Sequence, residues 1–171
     1  MRPISQFITE ATIGAWIPVS RQSYGTAGFT IHPQASTAGT YNVQFTSSDI
    51  FKTSRQRFTR STTTLTITVT AHGLTTTDAC IVTGHSDFEA QYEVASVVDA
   101  DNITVTVADS GAASGSLSFT PVVVDTITGF SGADATATAS GNDFASICAI
   151  RLDASSVTGA PIGWDFNQYE G

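Results

Sequence analysis

The 171-residue chain is long enough for one β-sandwich or two small domains. Only 13% of its residues are charged and 41% are hydrophobic, so much of its polarity comes from hydroxyl groups, including those of 27 threonines. The formal net charge of −8 makes the molecule repel phosphate backbones, which excludes nucleic acid as an expected partner. No stretch approaches the ~18 apolar residues of a membrane span, and the start lacks a signal-peptide core. We therefore expect synthesis in the cytosol and no membrane partner.

Strand-like runs open the chain near residues 14–19, 28–32 and 40–45. In the third run, Tyr41, Val43 and Phe45 alternate with polar residues, which is the pattern of a strand with one buried face. Gly, Ser and Asn turn signals follow at intervals of about 8 to 12 residues along the whole chain. No apolar stripe with helical spacing extends over three turns. The pattern predicts an all-β fold.

The middle of the chain repeats the same alternation in shorter strands. Leu65, Ile67 and Val69 alternate with threonines, and the sequence Ala-His-Gly-Leu then breaks the strand. Further strands are predicted around residues 81–82, at 92–98 and at 103–107. The tetrapeptide Asp99–Asn102 is read as a tight hairpin turn rather than the start of a calcium loop, because the later ligands of such a loop are missing.

This order of strands and turns resembles a small all-β module found in structural proteins of tailed bacteriophages. The resemblance covers residues 57–120 and rests on the Ala-His-Gly-Leu turn, a later turn and a strand after an Asp-rich hairpin. Two turns depart from the family pattern, at Thr77-Asp78 and at residues 91–93. The resemblance implies a structural role for His72, capping a turn in which Gly73 takes a positive φ angle.

The segments on either side resemble another bacteriophage virion pattern, in two pieces. The first piece contains the strand at Tyr41 followed by Ser48-Asp49-Ile50-Phe51, and the second contains Thr128-Gly129 and Ala149-Ile150-Arg151-Leu152. The closing strand at 162–166 departs from the aliphatic ending of that pattern. Neither piece has enough strands for a sandwich of its own. We therefore predict a discontinuous β-sandwich base domain from residues 1–56 and 121–171, with residues 57–120 inserted in one loop as a small β-barrel or sandwich module.

No motif in the sequence supports catalysis, metal binding or a cofactor. His85 lies next to a turn without the context of a nucleophile elbow, and Glu89 and Glu93 face no cleft. Neither Cys80 nor Cys148 belongs to a Cys-x-x-Cys pair, and buried free thiols are favoured over a disulfide. We expect a protein that is not an enzyme.

Three groups of side chains are candidates for partner contact. Trp16 and Trp164, with Phe166 and Tyr169 in the aromatic tail, are either core residues or interface anchors. The basic run, which comprises Arg55, Arg57 and Arg60 together with Lys52, is either a solvated linker with local salt bridges or a docking patch. His85, Phe88 and Tyr92 form a possible outward ligand face.

The resemblances imply a virion structural protein. The favoured role is capsid decoration (a cement protein) on the head exterior, with the major capsid protein as partner and a homotrimer favoured over a dimer. Two alternatives stay open: a neck or tail adaptor or fibre-attachment protein, and a carbohydrate- or receptor-binding module on the virion surface.

Overall fold

A computed structural model describes residues 4–19, 27–33, 40–131, 139–141, 147–159 and 162–168. Every regular element in these ranges is a β-strand. In chain order they are β1 (Ile4–Ile8), β2 (Ile17–Pro18), β3 (Ala27–Pro33), β4 (Thr40–Thr46), β5 (Ser54–Ser61), β6 (Thr64–Thr68), β7 (Ala79–Thr83), β8 (Ala90–Glu93), β9 (Ser96–Asp99), β10 (Asn102–Thr106), β11 (Ser114–Val122), β12 (Asp125–Ser131), β13 (Ala139–Gly141), β14 (Ala149–Asp153) and β15 (Ile162–Gln168). The all-β prediction is confirmed.

The chain divides into two compact units. Unit 1 contains Met1–Ser47 and Asp125–Gly171, and unit 2 contains Ser48–Val124. The boundaries predicted from the sequence, 56/57 and 120/121, lie inside unit 2. The structural boundaries lie further out because β5 begins at Ser54, which pairs with Phe119 of β11, and because the Val123 amide donates to Ser48 Oγ.

Unit 1 is built from both ends of the chain, in two antiparallel four-stranded sheets. One has the order β1-β15-β3-β13 and the other β12-β4-β14-β2. Side chains from both sheets share one core, including Tyr41, Ile150, Leu152, Ile162 and Trp164. Strands β4 and β12 are neighbours in register, with Phe45 opposite Asp125, so all of unit 2 occupies the connection between two adjacent strands.

Unit 2 is a single curled antiparallel sheet of seven strands with the order β8-β7-β11-β5-β6-β10-β9. Its two edge strands, β8 and β9, follow each other in the chain with only Val94 and Ala95 between them, so the sheet must bend back on itself. The bend encloses a core that includes Phe58, Leu65, Ile67, Val105 and Phe119. Within β6 and β10 the aliphatic positions are fully buried, because period-2 alternation turns every second side chain inward.

No helix in the described part of the chain has the length and hydrophobicity needed to cross a membrane.

Candidate interaction surfaces

The His72 turn has the structural role that the resemblance implied. His72 Nδ1 accepts a hydrogen bond from the Leu74 amide at 2.9 Å, and Nε2 lies 3.0 Å from the Asp99 carbonyl oxygen. Because Nδ1 is an acceptor, the proton of a neutral ring is on Nε2 and is donated to Asp99. Gly73 has φ 64° and Ala71 has φ 51°, both in the left-handed region. The prediction for this turn is confirmed.

The Asp99–Asn102 turn uses its carboxylates to hold the β9–β10 hairpin. Asp99 accepts from the Asp101 amide at 2.8 Å and from the Asn102 side-chain amide at 2.9 and 3.0 Å. These hydrogen bonds lower the pKa of the Asp99 carboxyl below its ordinary value. The bond from the Asp101 backbone amide has the largest effect, and the bond from the Asn102 side chain comes next. Asp101 itself accepts from the Ala71 amide at 2.8 Å. The hairpin-turn interpretation is confirmed, and the described residues contain no group of three or more His, Cys, Asp or Glu side chains that could hold a metal ion.

The predicted outward face of His85, Phe88 and Tyr92 is a packed cluster. Phe88 is 1% exposed, and the His85 ring stacks on it with centroids 5.2 Å apart. The Tyr92 hydroxyl donates to the Phe88 carbonyl at 3.0 Å, and burial raises the pKa of Tyr92. The sequence brought the right three residues together. However, Phe88 faces the core of unit 2 and His85 and Tyr92 are half-buried, so Phe88 does not belong to an outward ligand face.

The Arg60 guanidinium is hydrogen-bonded to other residues of unit 2, so Arg60 is not part of an exposed basic patch. Its guanidinium donates to the carbonyls of Thr62 at 2.7 Å, Gly111 at 2.9 Å and Ala112 at 3.4 Å, and it pairs with Asp109 at 3.1 Å. Its side chain is 13% exposed. Arg60 therefore holds the β10–β11 loop against β5, which corrects its assignment as a docking residue.

The two tryptophans are also internal. Trp164 is 1% and Trp16 is 5% exposed, and the Arg151 guanidinium lies 4.4 Å from the centroid of the Trp16 ring. Arg151 is itself buried and donates to Gln44 Oε1 at 2.6 Å. Burial favours the core alternative for both tryptophans and removes them as surface anchors. Tyr169 and the side chain of Phe166 lie outside the described residues, although the Phe166 backbone is part of β15.

Arg55 and Arg57 remain exposed, on alternate positions of β5. Arg55 donates through Nε and Nη2 to Ser116 Oγ at 3.0 and 2.7 Å. Arg57 lines a shallow open groove of about 580 Å³ together with the neighbouring hydroxyl side chains, Thr59, Thr68, Ser114 and Ser116. These two arginines and the exposed Lys52 are the part of the predicted basic run that stays available for a partner.

Sequence reasoning missed an apolar surface at one end of unit 2. Phe51 is 72% and Val123 is 46% exposed. A turn stabilised by Asp49 fixes Phe51, since the Phe51 amide donates to Asp49 Oδ1 at 3.1 Å and the Lys52 amide to the Asp49 carbonyl at 3.0 Å. Lys52 and Asp49 line an adjoining cleft of about 300 Å³. We call Phe51, Lys52 and Val123 the Phe51 patch. The sequence named Ile50-Phe51 as part of a motif, but only the fold buries Ile50 and turns Phe51 outward.

Both cysteines are buried free thiols, as the sequence favoured. Cys148 donates through Sγ to the Ser47 carbonyl at 2.9 Å. Burial, with the Glu93 carboxylate as a second cause, raises the pKa of Cys80 to about 12. Cys80 therefore lacks the lowered pKa of a reactive cysteine, and neither thiol has the exposure of one.

No protein-family model and no curated protein matches this sequence. Among solved structures, the phage phi92 endosialidase is similar over 72% of this chain and 20% of its own chain, at 16% sequence identity and a TM-score of 0.36. The match thus spans a fifth of that protein's length, and we draw no functional conclusion from it.

Proposed function

We propose that this protein is a structural component of a tailed-bacteriophage virion, and that it decorates the capsid by binding the major capsid protein. The observation that carries the proposal is the insertion of one self-contained β unit into a strand connection of another. The two sequence resemblances follow the same division of the chain, one at residues 57–120 and one in the flanking segments. Both resemblances are to virion proteins.

The contact with the partner is assigned to the Phe51 patch. The Asp49 turn fixes the backbone of Phe51, whose side chain is 72% exposed, so binding costs little backbone conformational freedom. Burying a Phe side chain stabilises a complex by about 1.5–3 kcal/mol, and aromatic residues dominate interface hot spots. Lys52 at the edge of the patch adds a charge that selects an acidic rim on the partner.

Repeated copies then act together on the shell. A decoration protein binds many equivalent sites, so a modest contact per copy adds up against the outward pressure of packaged DNA. We propose a closed homo-oligomer, with a trimer favoured because cyclic symmetry matches a three-fold lattice site.

The test is cosedimentation of the purified protein with separated heads and tails of particles that lack it. Wild-type protein should sediment with heads and saturate. The Phe51→Ser variant should bind at least about tenfold more weakly, because it loses about 1.4 kcal/mol or more of apolar contact.

The matched control is Val98→Ser, which removes another exposed apolar side chain, 58% exposed, from strand β9. It should bind as wild type does. Sedimentation with tails alone would contradict decoration and support an adaptor role. An equal loss of binding in both variants would show that the Phe51 patch is not the contact.

A further inference from the structure

One face of unit 2 differs in chemistry from the rest of this acidic chain. The three central strands β11, β5 and β6 contain no aspartate or glutamate. Two cross-strand rows lie on their outward face, Ser116–Arg57–Thr68 and Ser114–Thr59–Thr66. We call these six residues and Arg55 the hydroxyl–arginine face. In a molecule of net charge −8, this is a segregated cationic surface.

The two arginines on this face are arranged for a ligand. Arg55 and Arg57 are two positions apart on one strand, so their backbones are about 7 Å apart along it. The Ser116 hydroxyl holds the Arg55 guanidinium through two hydrogen bonds. Among the described residues none forms an ion pair with Arg57, which borders the open groove.

The remaining side chains decide what kind of anion fits. Protein–protein interfaces have an apolar, aromatic-rich centre, and no outward side chain on these two rows is aromatic or aliphatic. Single-stranded nucleic acids bind by stacking bases on exposed aromatic rings, and Phe58, which lines the groove, is only 2% exposed. Hydroxyl side chains lie on both sides of the Arg57 guanidinium, in the row Ser116–Arg57–Thr68. This arrangement instead matches a ligand that carries both hydroxyl and anionic groups along an extended chain.

We propose that the hydroxyl–arginine face binds an acidic polysaccharide. The arginines bind its carboxylate or sulfate groups through charge-assisted, bidentate hydrogen bonds. The serine and threonine hydroxyls exchange hydrogen bonds with the sugar hydroxyls, directly or through water. This inference goes beyond virion attachment, because it concerns another face and holds for the free protein.

The test uses the full chain and titration calorimetry with four probes: polygalacturonate, dextran sulfate, neutral dextran and poly-dT. At low ionic strength we expect binding to one or both acidic polysaccharides and none to neutral dextran. A preference for polygalacturonate identifies carboxylate as the recognised group, and a preference for dextran sulfate identifies sulfate. Binding should weaken as salt rises, because the arginines are exposed.

The double variant Arg55→Gln, Arg57→Gln should weaken polysaccharide binding at least about tenfold, since it removes both guanidinium contacts. The control Lys52→Gln removes an exposed positive charge from the same unit but off this face, and should leave the affinity within about twofold. Thermal melts verify that the variants stay folded.

Three results would overturn the inference: no binding to either acidic polysaccharide, equal loss in the Lys52 control, or binding to poly-dT as tight as to the polysaccharides. The assay contains no phage particles, so its outcome is independent of the cosedimentation result.

Discussion

Several polar side chains of this protein form hydrogen bonds within the fold and stabilise its loops. Asp78 is 4% exposed, and its carboxylate accepts from the Thr75 amide at 2.7 Å, the Thr75 hydroxyl at 2.8 Å and the Val124 amide at 2.8 Å. It thereby fixes the last residue of unit 2 to a turn some forty-six positions earlier. A buried carboxylate is tolerated because each of these donors replaces a lost water.

Cys80 gives a prediction at this scale. Its pKa is raised to about 12 because burial disfavours the thiolate. Iodoacetamide should therefore label neither Cys80 nor Cys148 at neutral pH in the folded protein and both in urea, as mass spectrometry of modified peptides would show. Rapid labelling of Cys80 without denaturant would contradict its buried position.

The same shift gives a pH dependence with a defined sign. The folded pKa lies above the ordinary value of 9.0, so the folded state retains a proton that the unfolded state loses. This contribution to stability is complete below pH 9.0 and declines as the pH rises towards about 12. Cys80→Ala should make the alkaline loss of stability shallower, and chemical denaturation at several pH values would measure it.

At the scale of elements, the β10–β11 loop is held from two sides. Arg60 donates to three carbonyls in and around it and pairs with Asp109, while Asp87 Oδ2 accepts from the Ala112 amide at 2.8 Å. Gly111 has φ 94°, and a Cβ there would lie 2.8 Å from Asp87, so only glycine fits. A loop of small residues is thus ordered by hydrogen bonds rather than by apolar packing.

Arg60→Met should lower the free energy of unfolding by about 1–2 kcal/mol, because the partly buried Ala112 carbonyl loses its donor whereas the exposed Thr62 and Gly111 carbonyls can bond water. The Asp109 pair adds little to this figure, because the Asp109 side chain is 65% exposed. The exposed control Arg57→Met should stay within about 0.5 kcal/mol of wild type. Urea denaturation measures both, and similar values for the two variants would contradict the role of Arg60.

Element positions and burial were predictable from the sequence where alternation is strict, and the exposure of large apolar residues elsewhere was not. Leu65 and Ile67 alternate with threonines, and burial follows that period in β6. Trp164 and Phe51 have similar apolar character, yet one is 1% and the other 72% exposed. That difference depends on which sheet covers each residue, which is a long-range property. Likewise, two of the three carbonyls bonded by Arg60 come from a loop some fifty residues away, and no local pattern reports them.

At the scale of the whole molecule, the two units have separate cores. Among the described residues, none between 48 and 124 belongs to the core of unit 1, and all members of the unit 2 core lie in that range. Both tryptophans are in unit 1, so tryptophan fluorescence reports that unit alone.

Replacing residues 48–124 by Asn-Gly should leave unit 1 folded, because β4 and β12 are antiparallel neighbours that a short turn can join. The variant should melt cooperatively with blue-shifted tryptophan emission. Residues 48–124 expressed alone should also give a cooperative β-sheet signal in circular dichroism. If neither product folds, the units depend on each other and the insertion does not explain the sequence pattern.

The central claim is that this protein is a component of the virion surface, and a difference map tests it most directly. Particles that carry the protein would be compared by electron cryomicroscopy with particles from a phage lacking it. We expect added density repeated over the outside of the head at symmetry-related capsid sites. Identical maps, or added density absent from the head, would contradict the proposed capsid decoration.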